Sequence, residues 1–346
     1  MSGGDVIESV SRHWSDTPRR ARGRLKTHWF SRWEPSLDDA LLALPTIDEL
    51  PADLYRALAI SRRGQAKRIG LVLDGEDPVM VAVLRADRSK TWRAAAEDIS
   101  PSAAFPARPG DYFAACAALG VRLELSFRKP PEPIPAGGRV RVERAVSTYS
   151  LGLLRNPTKH WRASRYDLLV EAARACPQAR RRYLLMDAYG QAEWAFRRAA
   201  RAPGSDPGRL LDLELAANHF AATGQRRTAT LYEDDTPIAA MVFLVRDNTL
   251  MAKLAHVEGR ADKLALASLH EQTIGWARSQ GYVAIDYDAH LPLASQITRA
   301  TGKRTHVAVL PSSAVRAAAA VARRKLGPED APSQPRKRPG FGLRTP

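Results

Sequence analysis

The side chains best suited to move a proton lie in two short stretches of the second half of the chain. His256 and Glu258 stand two residues apart in the run AKLAHVEG, and Asp286 and Tyr287 are adjacent in the run YVAIDYDA. His290 follows in the next loop-like segment. An imidazole, a carboxyl group or a phenol acts as a general acid or base when it lies within hydrogen-bonding reach of a reacting group. These five residues are the candidates for proton transfer.

Each candidate also has a structural interpretation. On a strand, His256 shares a face with Leu254 and Glu258, and that face is either core or cleft. Asp286 stands in an otherwise apolar strand, where an unpaired buried carboxylate is costly, so it needs a partner or a cleft. Tyr287 is equally suited to packing, and Glu258 to a solvated loop. His290 is equally suited to a structural role in a loop.

Other catalytic motifs are missing from the sequence. It contains no Cys-x-x-Cys, no His-Glu-x-x-His, no P-loop and no Gly-x-Ser-x-Gly, the patterns typical of redox, metal, nucleotide and serine-hydrolase sites. The sequence therefore gives no support to a metal centre or to nucleotide hydrolysis.

The candidates belong to a strand-and-helix pattern. Residues 228–232 and 238–245 are strand-like runs around an acidic turn, and a third run follows at 250–257 after the Asp247-Asn248 turn. Beyond Gly259 the apolar positions repeat with the helical period of 3.6 residues, and the last strand spans 282–287. The residues on the apolar face of that helix, with His270 predicted to be core, are Leu266, Leu269, His270, Thr273 and Ala277, and Gly281 suits a left-handed cap.

The first half of the chain carries the same pattern. LVLDGEDPVMVAVL matches TLYEDDTPIAAMVFLV as strand, acidic turn ending in proline, and strand. The turn proline and the helix-ending glycine are Pro78 and Gly120 in one copy and Pro237 and Gly281 in the other, at nearly equal spacing. A chance likeness of two ordinary α/β segments is the alternative. The pattern predicts an α/β protein of two lobes, each a mixed, mostly antiparallel sheet flanked by helices.

Composition and connectors predict the domain limits. Residues 1–35 are a basic, partly disordered lead, 36–148 the N-terminal lobe, 149–312 the C-terminal lobe with the site, and 313–346 a helix with a disordered basic tail. The Pro-Gly run KPPEPIPAGG connects the lobes. Residues 139–146 are predicted to be an edge strand. Helices are predicted at 162–175, 187–202, 209–222 and 314–325.

Charge and cysteine content bear on partners and location. The 53 basic and 37 acidic residues give a formal net charge of +16, which favours an anionic partner such as nucleic acid, anionic lipid or a phosphate-bearing ligand. An arginine-rich proteome produces the same excess without such a partner. Cys116 and Cys176 are best interpreted as free buried thiols, which fits a cytoplasmic location. No segment approaches the roughly 20 apolar residues of a membrane span, and the N-terminus does not resemble a secretory signal.

The stretch 227–289 resembles the GNAT superfamily of acyltransferases, in particular the branch of cellulose-biosynthesis-associated acetyltransferases and Fem-type peptidoglycan aminoacyl transferases. The residues that carry the resemblance are the hairpin around DDTPIAAMVFLV, the strand AKLAHVEG, the helix LASLHEQTIGWARSQG and the strand YVAIDYDA. Asp286 stands where that branch usually has an acidic residue. The likeness covers residues 148–310, and the repeat extends it to the first lobe.

The resemblance implies an N-acyltransferase that moves an acyl group from acetyl-CoA or another acyl-CoA to an amine. The implied catalytic residues are His256, Glu258, Asp286 and Tyr287. The implied acyl-CoA contacts are Leu254, Val257, Gly259, Arg260, Ala261 and Lys263, on the strand end and the loop before the helix. This loop, GRADKLALAS, departs from the glycine-rich loop that is usual in acetyl-CoA-binding members.

Two other functions are compatible with the same resemblance. One is a tRNA-dependent aminoacyl transferase, which the positive charge would suit, and the other is a non-catalytic GNAT-like binding or scaffold protein. The acceptor is a small-molecule or cell-envelope amine. The arginine- and aromatic-rich segment 183–201 fits either nucleic-acid contacts or an amphipathic helix with a buried aromatic face and solvated arginines.

Overall fold

The fold is described by a computed structural model that covers residues 25–45, 50–61, 67–86, 91–99, 105–108, 110–127, 139–150, 181–185, 189–258, 262–287, 301–313 and 315. The strands are β1 (Lys26–Phe30), β2 (Lys67–Asp74), β3 (Asp77–Ala86), β4 (Trp92–Ala94), β5 (Leu123–Phe127), β6 (Arg139–Ser150), β7 (Arg181–Leu185), β8 (Arg226–Glu233), β9 (Thr236–Arg246), β10 (Thr249–Val257), β11 (Ala284–Tyr287) and β12 (Thr301–Leu310). The helices are α1 (Pro35–Leu42), α2 (Ala52–Ile60), α3 (Tyr112–Ala118), α4 (Tyr189–Arg201), α5 (Pro207–Ala222) and α6 (Asp262–Ser279).

Two-residue turns with a left-handed backbone connect β8, β9 and β10. Asp234 and Asp235 have φ angles of 46° and 63°, and Asp247 and Asn248 have 43° and 57°. Positive φ at both central residues is the requirement of a type I′ hairpin turn, and Asp and Asn tolerate it better than other residues with side chains. Both turns lie where the sequence predicts them.

The strands form one sheet in the order β1-β2-β3-β4-β5-β12-β6-β11-β10-β9-β8-β7. All neighbours run antiparallel except the parallel pairs β4–β5 and β10–β11. Each half therefore contributes a mixed, mostly antiparallel sheet with helices on its faces, which confirms the predicted fold class. The two halves are joined edge to edge, which the sequence did not predict.

The order of strands is symmetric about its centre. Strands β1 to β5 occupy one half in the order in which β7 to β11 occupy the other. The first hairpin and the second have their prolines at Pro78 and Pro237, 159 positions apart. The register irregularities at Val72/Leu73 and Leu231/Tyr232 are separated by the same 159 positions. This shared irregularity supports a structural repeat rather than a chance likeness.

The last strand of each copy pairs with the opposite copy. Strand β6 follows the first half in sequence but pairs with β11, and β12 follows the second half but pairs with β5. The two exchanged strands also pair with each other at the centre of the sheet. Because β6 is central, the prediction of an edge strand at 139–146 is wrong. The proposed lobe boundary at 148/149 falls inside this strand and stays a prediction.

One core is shared between the halves and two are private to them. On the shared face, α1, α2, α4 and α5 cover both halves of the sheet, with Leu54, Val81, Phe196 and Val242 among the buried residues. On the opposite face, α6 covers β8 to β11 and α3 covers the first half together with β12. The shared core ties the two halves together on the face where α4 and α5 lie.

The N-terminal lead is only partly described. Its last residues form β1, which pairs with β2 from Lys26 opposite Leu73 to Phe30 opposite Ile69. This segment forms the edge of the described sheet, and Trp29 packs over Gly70; the partly disordered lead at 1–35 stays a prediction. Two predicted helices, at 162–175 and largely at 314–325, lie outside the described residues, as does Cys176. Cys116 is buried and free.

Candidate functional site

The described pairing of β10 with β11 covers the first part of β10. Its pairs with β11 run from Thr249–Ala284 to Ala252–Tyr287. Its pairs with β9 continue to Val257, with a bulge between Ala252 and Leu254. Within the described residues, 254–257 are thus paired with β9 alone.

His256 lies on this second part of β10 and contacts residues of α4. Its ring meets that of Trp194 edge-on, with 5.5 Å between the ring centroids. The imidazole Nε2 lies 3.5 Å from Glu258 Oε2, and the side chain of His256 is 14% exposed. The bulge keeps Leu254 and His256 on the shared face, and Leu254 is buried in the shared core. His256 therefore stands at the rim of that core, partly open to solvent.

Glu258 links His256 to a cation. Its second carboxylate oxygen, Oε1, lies 3.2 Å from Arg198 Nη1, and its backbone N–H donates to the carbonyl of Ile238 at 2.8 Å. Arg198 and Trp194 are one helical turn apart on α4, so they present side by side. The result is a row of Arg198, Glu258, His256 and Trp194. A carboxylate beside an imidazole fixes the orientation of the ring and stabilises its protonated form.

Asp286 lies on the same face, deeper in the sheet. It stands opposite Met251 of β10 and Thr148 of β6 in register, and it is 8% exposed. Met251 belongs to the shared core, and residues in register on neighbouring strands project to the same face. Asp286 is thus on the face that carries His256.

Tyr287 projects to the opposite face. It is fully buried under α6, and its hydroxyl lies 2.6 Å from Nδ1 of His270, which is also fully buried. Burial lowers the pKa of His270 to about 3, so the imidazole is neutral and its ring nitrogen accepts from the tyrosine. His270 is core, as predicted. The structure does not bring Tyr287 together with His256 and Asp286, and its catalytic role stays a prediction.

The two halves differ at the position of Asp286. The equivalent hairpin registers make Arg93 the counterpart of Met251 and Glu124 the counterpart of Asp286. In the first half, Arg93 Nη2 lies 2.8 Å from Glu124 Oε2. In the second half the arginine is replaced by an uncharged methionine. The first copy therefore pairs its carboxylate with the neighbouring strand's arginine, and the second copy has a methionine at that register position.

A second carboxyl group in the first half has a raised pKa. Glu97 follows β4 and is 8% exposed. It accepts a hydrogen bond from the hydroxyl of Ser126 on β5. Burial, and after it the charge of the neighbouring Asp98, raise the pKa of Glu97 to about 7 against the opposing effects of Ser126, Arg93 and Arg85. In the first half, the side chains of Glu97 and Ser126 thus contact each other beside β4 and β5.

The predicted acyl-CoA contacts are only partly described. Leu254 is 6% exposed and part of the core, so its side chain is not at the surface of a cleft, while Val257 is half-buried. Gly259, Arg260 and Ala261 lie outside the described residues, as does His290. Lys263 lies in the first turn of α6, and its side chain is not described. Their roles stay predictions.

Two site residues were missed from the sequence. Trp194 and Arg198 lie in the segment that was interpreted as an amphipathic helix, and α4 is one, with Ala195 and Phe196 buried and Arg197 and Arg198 exposed. The aromatic and the basic residue at a spacing of four were the available signal. Nothing local tied them to a strand some 60 residues later.

Two absences hold for the described ranges. None of their helices combines the length and apolar character that crossing a lipid bilayer requires. Nor do three or more His, Cys, Asp or Glu side chains come together there in a way that could hold a metal ion.

Comparison with known proteins finds similar solved structures but no matching sequences. No protein-family model and no curated protein matches the chain. L-PGS from Bacillus licheniformis is similar with 12% identity over 84% of this chain and 96% of that one, at a TM-score of 0.45. A tandem GNAT protein from the clavulanic acid biosynthesis pathway has 11% identity over 82% and 98%, at 0.45. A conserved protein of unknown function from Bacteroides thetaiotaomicron has 12% over 82% and 99%, at 0.47.

Proposed function

We propose that the chain is a GNAT-like N-acyltransferase whose site lies in the second half, at the end of β10 that carries His256. The observation that carries the proposal is the row of Arg198, Glu258, His256 and Trp194 at the open end of β10. It places a proton acceptor on the part of β10 that, among the described residues, pairs with β9 alone. Acyl transfer needs a base and backbone donors for the developing oxyanion at one place.

The proposed reaction uses an acyl-CoA thioester as donor and a primary amine as acceptor. The amine nitrogen attacks the thioester carbon and gives its proton to His256, while Glu258 holds the imidazole and stabilises the imidazolium. Backbone N–H groups in the stretch 253–257 stabilise the oxyanion. The C–S bond then breaks, and the CoA thiolate leaves and takes up the proton. The start of α6 follows directly, where a helix N-terminus favours phosphate groups.

The place of Asp286 supports the second half as the site. Asp286 lies opposite Met251 in register, on the face that carries His256. We propose that Asp286 attracts a cationic acceptor, a small-molecule or cell-envelope amine, toward the face that carries His256. A carboxylate on a mostly buried face favours a positive partner because water screens the interaction little there.

Binding and turnover test the proposal. Thermal unfolding with a panel of acyl-CoAs should show stabilisation, about 2.7 kcal/mol at 100 times the Kd. His256→Ala should lower turnover roughly 10²-fold, the usual contribution of general-base catalysis, and Asp286→Asn should lower it as well. His219→Ala is the matched control for His256, since it removes another histidine–carboxylate pair at 3.5 Å, with Asp53. Glu124→Gln is the control for Asp286. Unchanged turnover in a folded His256→Ala protein would remove it as the base.

A tRNA-dependent aminoacyl transfer is the second candidate. The observation that favours it is the exposed arginine face of α4, with Arg197, Arg198 and Arg201 beside the site. Contacts to phosphates make binding fall steeply with salt. If no thioester stabilises the protein and aminoacyl-tRNA does, in a salt-dependent manner, this candidate replaces the first. If neither binds, a non-catalytic scaffold is favoured.

A further inference from the structure

We infer that Lys253 is a positioning residue through which the first half of the chain holds the bulge of β10 that precedes His256. Lys253 stands at this bulge, between Ala252 and Leu254. Lys253 is 7% exposed, and its Nζ donates to the backbone carbonyl of Asp98 at 2.5 Å. The effect of Lys253 on catalysis rests on the proposed function. The structural coupling between Lys253 and Asp98 does not depend on that function.

The contact joins two places that are far apart in the sheet. Asp98 follows β4, and four strands, β5, β12, β6 and β11, lie between β4 and β10. In a flat sheet, five strand spacings would separate β4 from β10 by about 24 Å. A direct hydrogen bond requires the sheet to curl so that the shared face is concave. The bond from Lys253 spans this concave face and connects the halves.

Asp98 is itself held by buried charges. Its carboxylate Oδ2 lies 2.8 Å from Arg209 Nε of α5 and 3.9 Å from Arg85 Nη2 of β3. Arg209 lies in the first turn of α5, which begins at Pro207 and is capped by Asp206 accepting from the Arg209 N–H at 3.1 Å. The place of Asp98 is therefore fixed by a helix terminus and by the first hairpin.

The network of buried charges around Asp98 continues between the two halves of the chain. Arg85 Nη1 lies 3.3 Å from Asp212 Oδ2, and Asp212 Oδ1 lies 2.5 Å from Lys67 Nζ. Lys67 also donates to the carbonyl of Leu58 at 2.6 Å. Asp212 is 1% exposed and Arg85 is 3% exposed. Buried charges with specific partners tolerate little displacement, because each lost partner leaves an uncompensated charge.

The consequence for the site follows from distance along the strand. His256 is three residues beyond Lys253, on the same short stretch that is paired with β9 alone in the described structure. A movement of the bulge therefore changes the position of the imidazole. Removing the ammonium should loosen the end of β10 and the turn 95–99 together, although they are remote in sequence.

Hydrogen–deuterium exchange on the full-length protein tests this coupling without any ligand. In Lys253→Met, the amides of residues 254–258 and 97–99 should exchange about tenfold faster or more, as expected for loss of a charge-assisted hydrogen bond. Lys253→Arg, which keeps a cation at the bulge, should restore much of the protection. Arg93→Met is the matched control, because it breaks the ion pair with Glu124 in the first half without touching β10.

The outcomes separate the inference from the proposed function. Unchanged exchange at 254–258 in a folded Lys253→Met protein, or the same change in Arg93→Met, overturns the positioning role. If Lys253→Met does not fold, Arg209→Gln replaces it, since Arg209 is half-buried and holds Asp98 from α5. Arg209→Gln should speed amide exchange at both 254–258 and 97–99. Faster exchange at 97–99 alone overturns the inference. Coupled exchange without stabilisation of the wild type by acyl-CoA or aminoacyl-tRNA retains the coupling and rejects the proposed function.

If a donor is identified, kinetics give a second readout. Lys253→Met should lower kcat more than it raises KM, because a displaced base affects the transition state more than the bound donor. Lys253→Arg should recover part of kcat. A loss confined to KM, or no recovery in Lys253→Arg, contradicts positioning of the base through Lys253.

Discussion

Replacing Glu97 by glutamine should stabilise the protein at alkaline pH and leave it unchanged at acidic pH. Glu97 is buried against Ser126 of β5, and burial raises its pKa from the ordinary 4.5 to about 7. A glutamine has the same shape, and its Oε1 can still accept from the Ser126 hydroxyl. The substitution therefore removes the ionisation while keeping the contact.

The magnitude follows from the pKa difference between the folded and the unfolded chain. Between pH 4.5 and about 7 the folded protein keeps the Glu97 proton and the unfolded chain releases it, so the folded state binds more protons and the free energy of unfolding falls as pH rises. One pKa unit corresponds to 1.36 kcal/mol. The wild type should therefore lose about 3 kcal/mol across this window relative to Glu97→Gln, with no further loss at higher pH.

Urea unfolding at intervals from pH 4.5 to 8.5 measures the effect. The quantity to follow is the difference in unfolding free energy between Glu97→Gln and the wild type, since other titrating groups cancel in the difference. It should be near zero at pH 4.5, rise through pH 6 and level off above pH 7. Glu124→Gln, which alters the partner of Arg93, serves as the control and should not follow that curve. A difference that stays flat with pH would show that Glu97 ionises normally and would refute the reasoning.

Two further predictions concern buried polar groups. His270→Gln keeps an acceptor for the Tyr287 hydroxyl but cannot titrate. Because the pKa of His270 is lowered from 6.5 to about 3 in the folded protein, the wild type alone should lose stability as the pH falls below 6.5. Denaturant unfolding at pH 5 and pH 8 should therefore show the variant gaining stability relative to the wild type only at pH 5. An equal difference at both pH values would contradict a neutral buried imidazole. Asp212→Asn should lower the free energy of unfolding by about 3–5 kcal/mol, because Lys67 and Arg85 would lose their shared buried anion. The control Asp235→Asn removes an exposed ion pair with Arg182 and should lower it by less than about 1 kcal/mol in the same unfolding assay. Similar losses in both proteins would mean that burial of the network adds nothing.

Local patterns were sufficient to predict the hairpins and the helices between them. The turns at Asp234-Asp235 and Asp247-Asn248 are determined by residues that tolerate a left-handed backbone, and Gly281, at φ 78°, follows α6 as predicted. The position of β6 could not be obtained in this way. Its alternating residue pattern fits an edge strand, and its partners β11 and β12 come from more than 130 residues later in the sequence.

The site was predictable only along single strands. Alternation correctly places His256 and Glu258 on one face, and it places the neighbours Asp286 and Tyr287 on opposite faces. The contacts of Arg198 and Trp194 depend on how α4 packs, which no local pattern determines. The bulge at Lys253 is also invisible in the sequence, because a lysine in a strand ordinarily indicates a solvent-facing position.

The exchange of β6 and β12 constrains the order in which the protein can be completed during synthesis. The edge of β5 that borders β12 has no partner until residues 301–310 have been translated. The first half, although it resembles an independent lobe, therefore leaves the ribosome with an open strand edge, a feature that invites association with other chains. It reaches its final form only when the second half is nearly complete, so the two copies mature as a single folding unit.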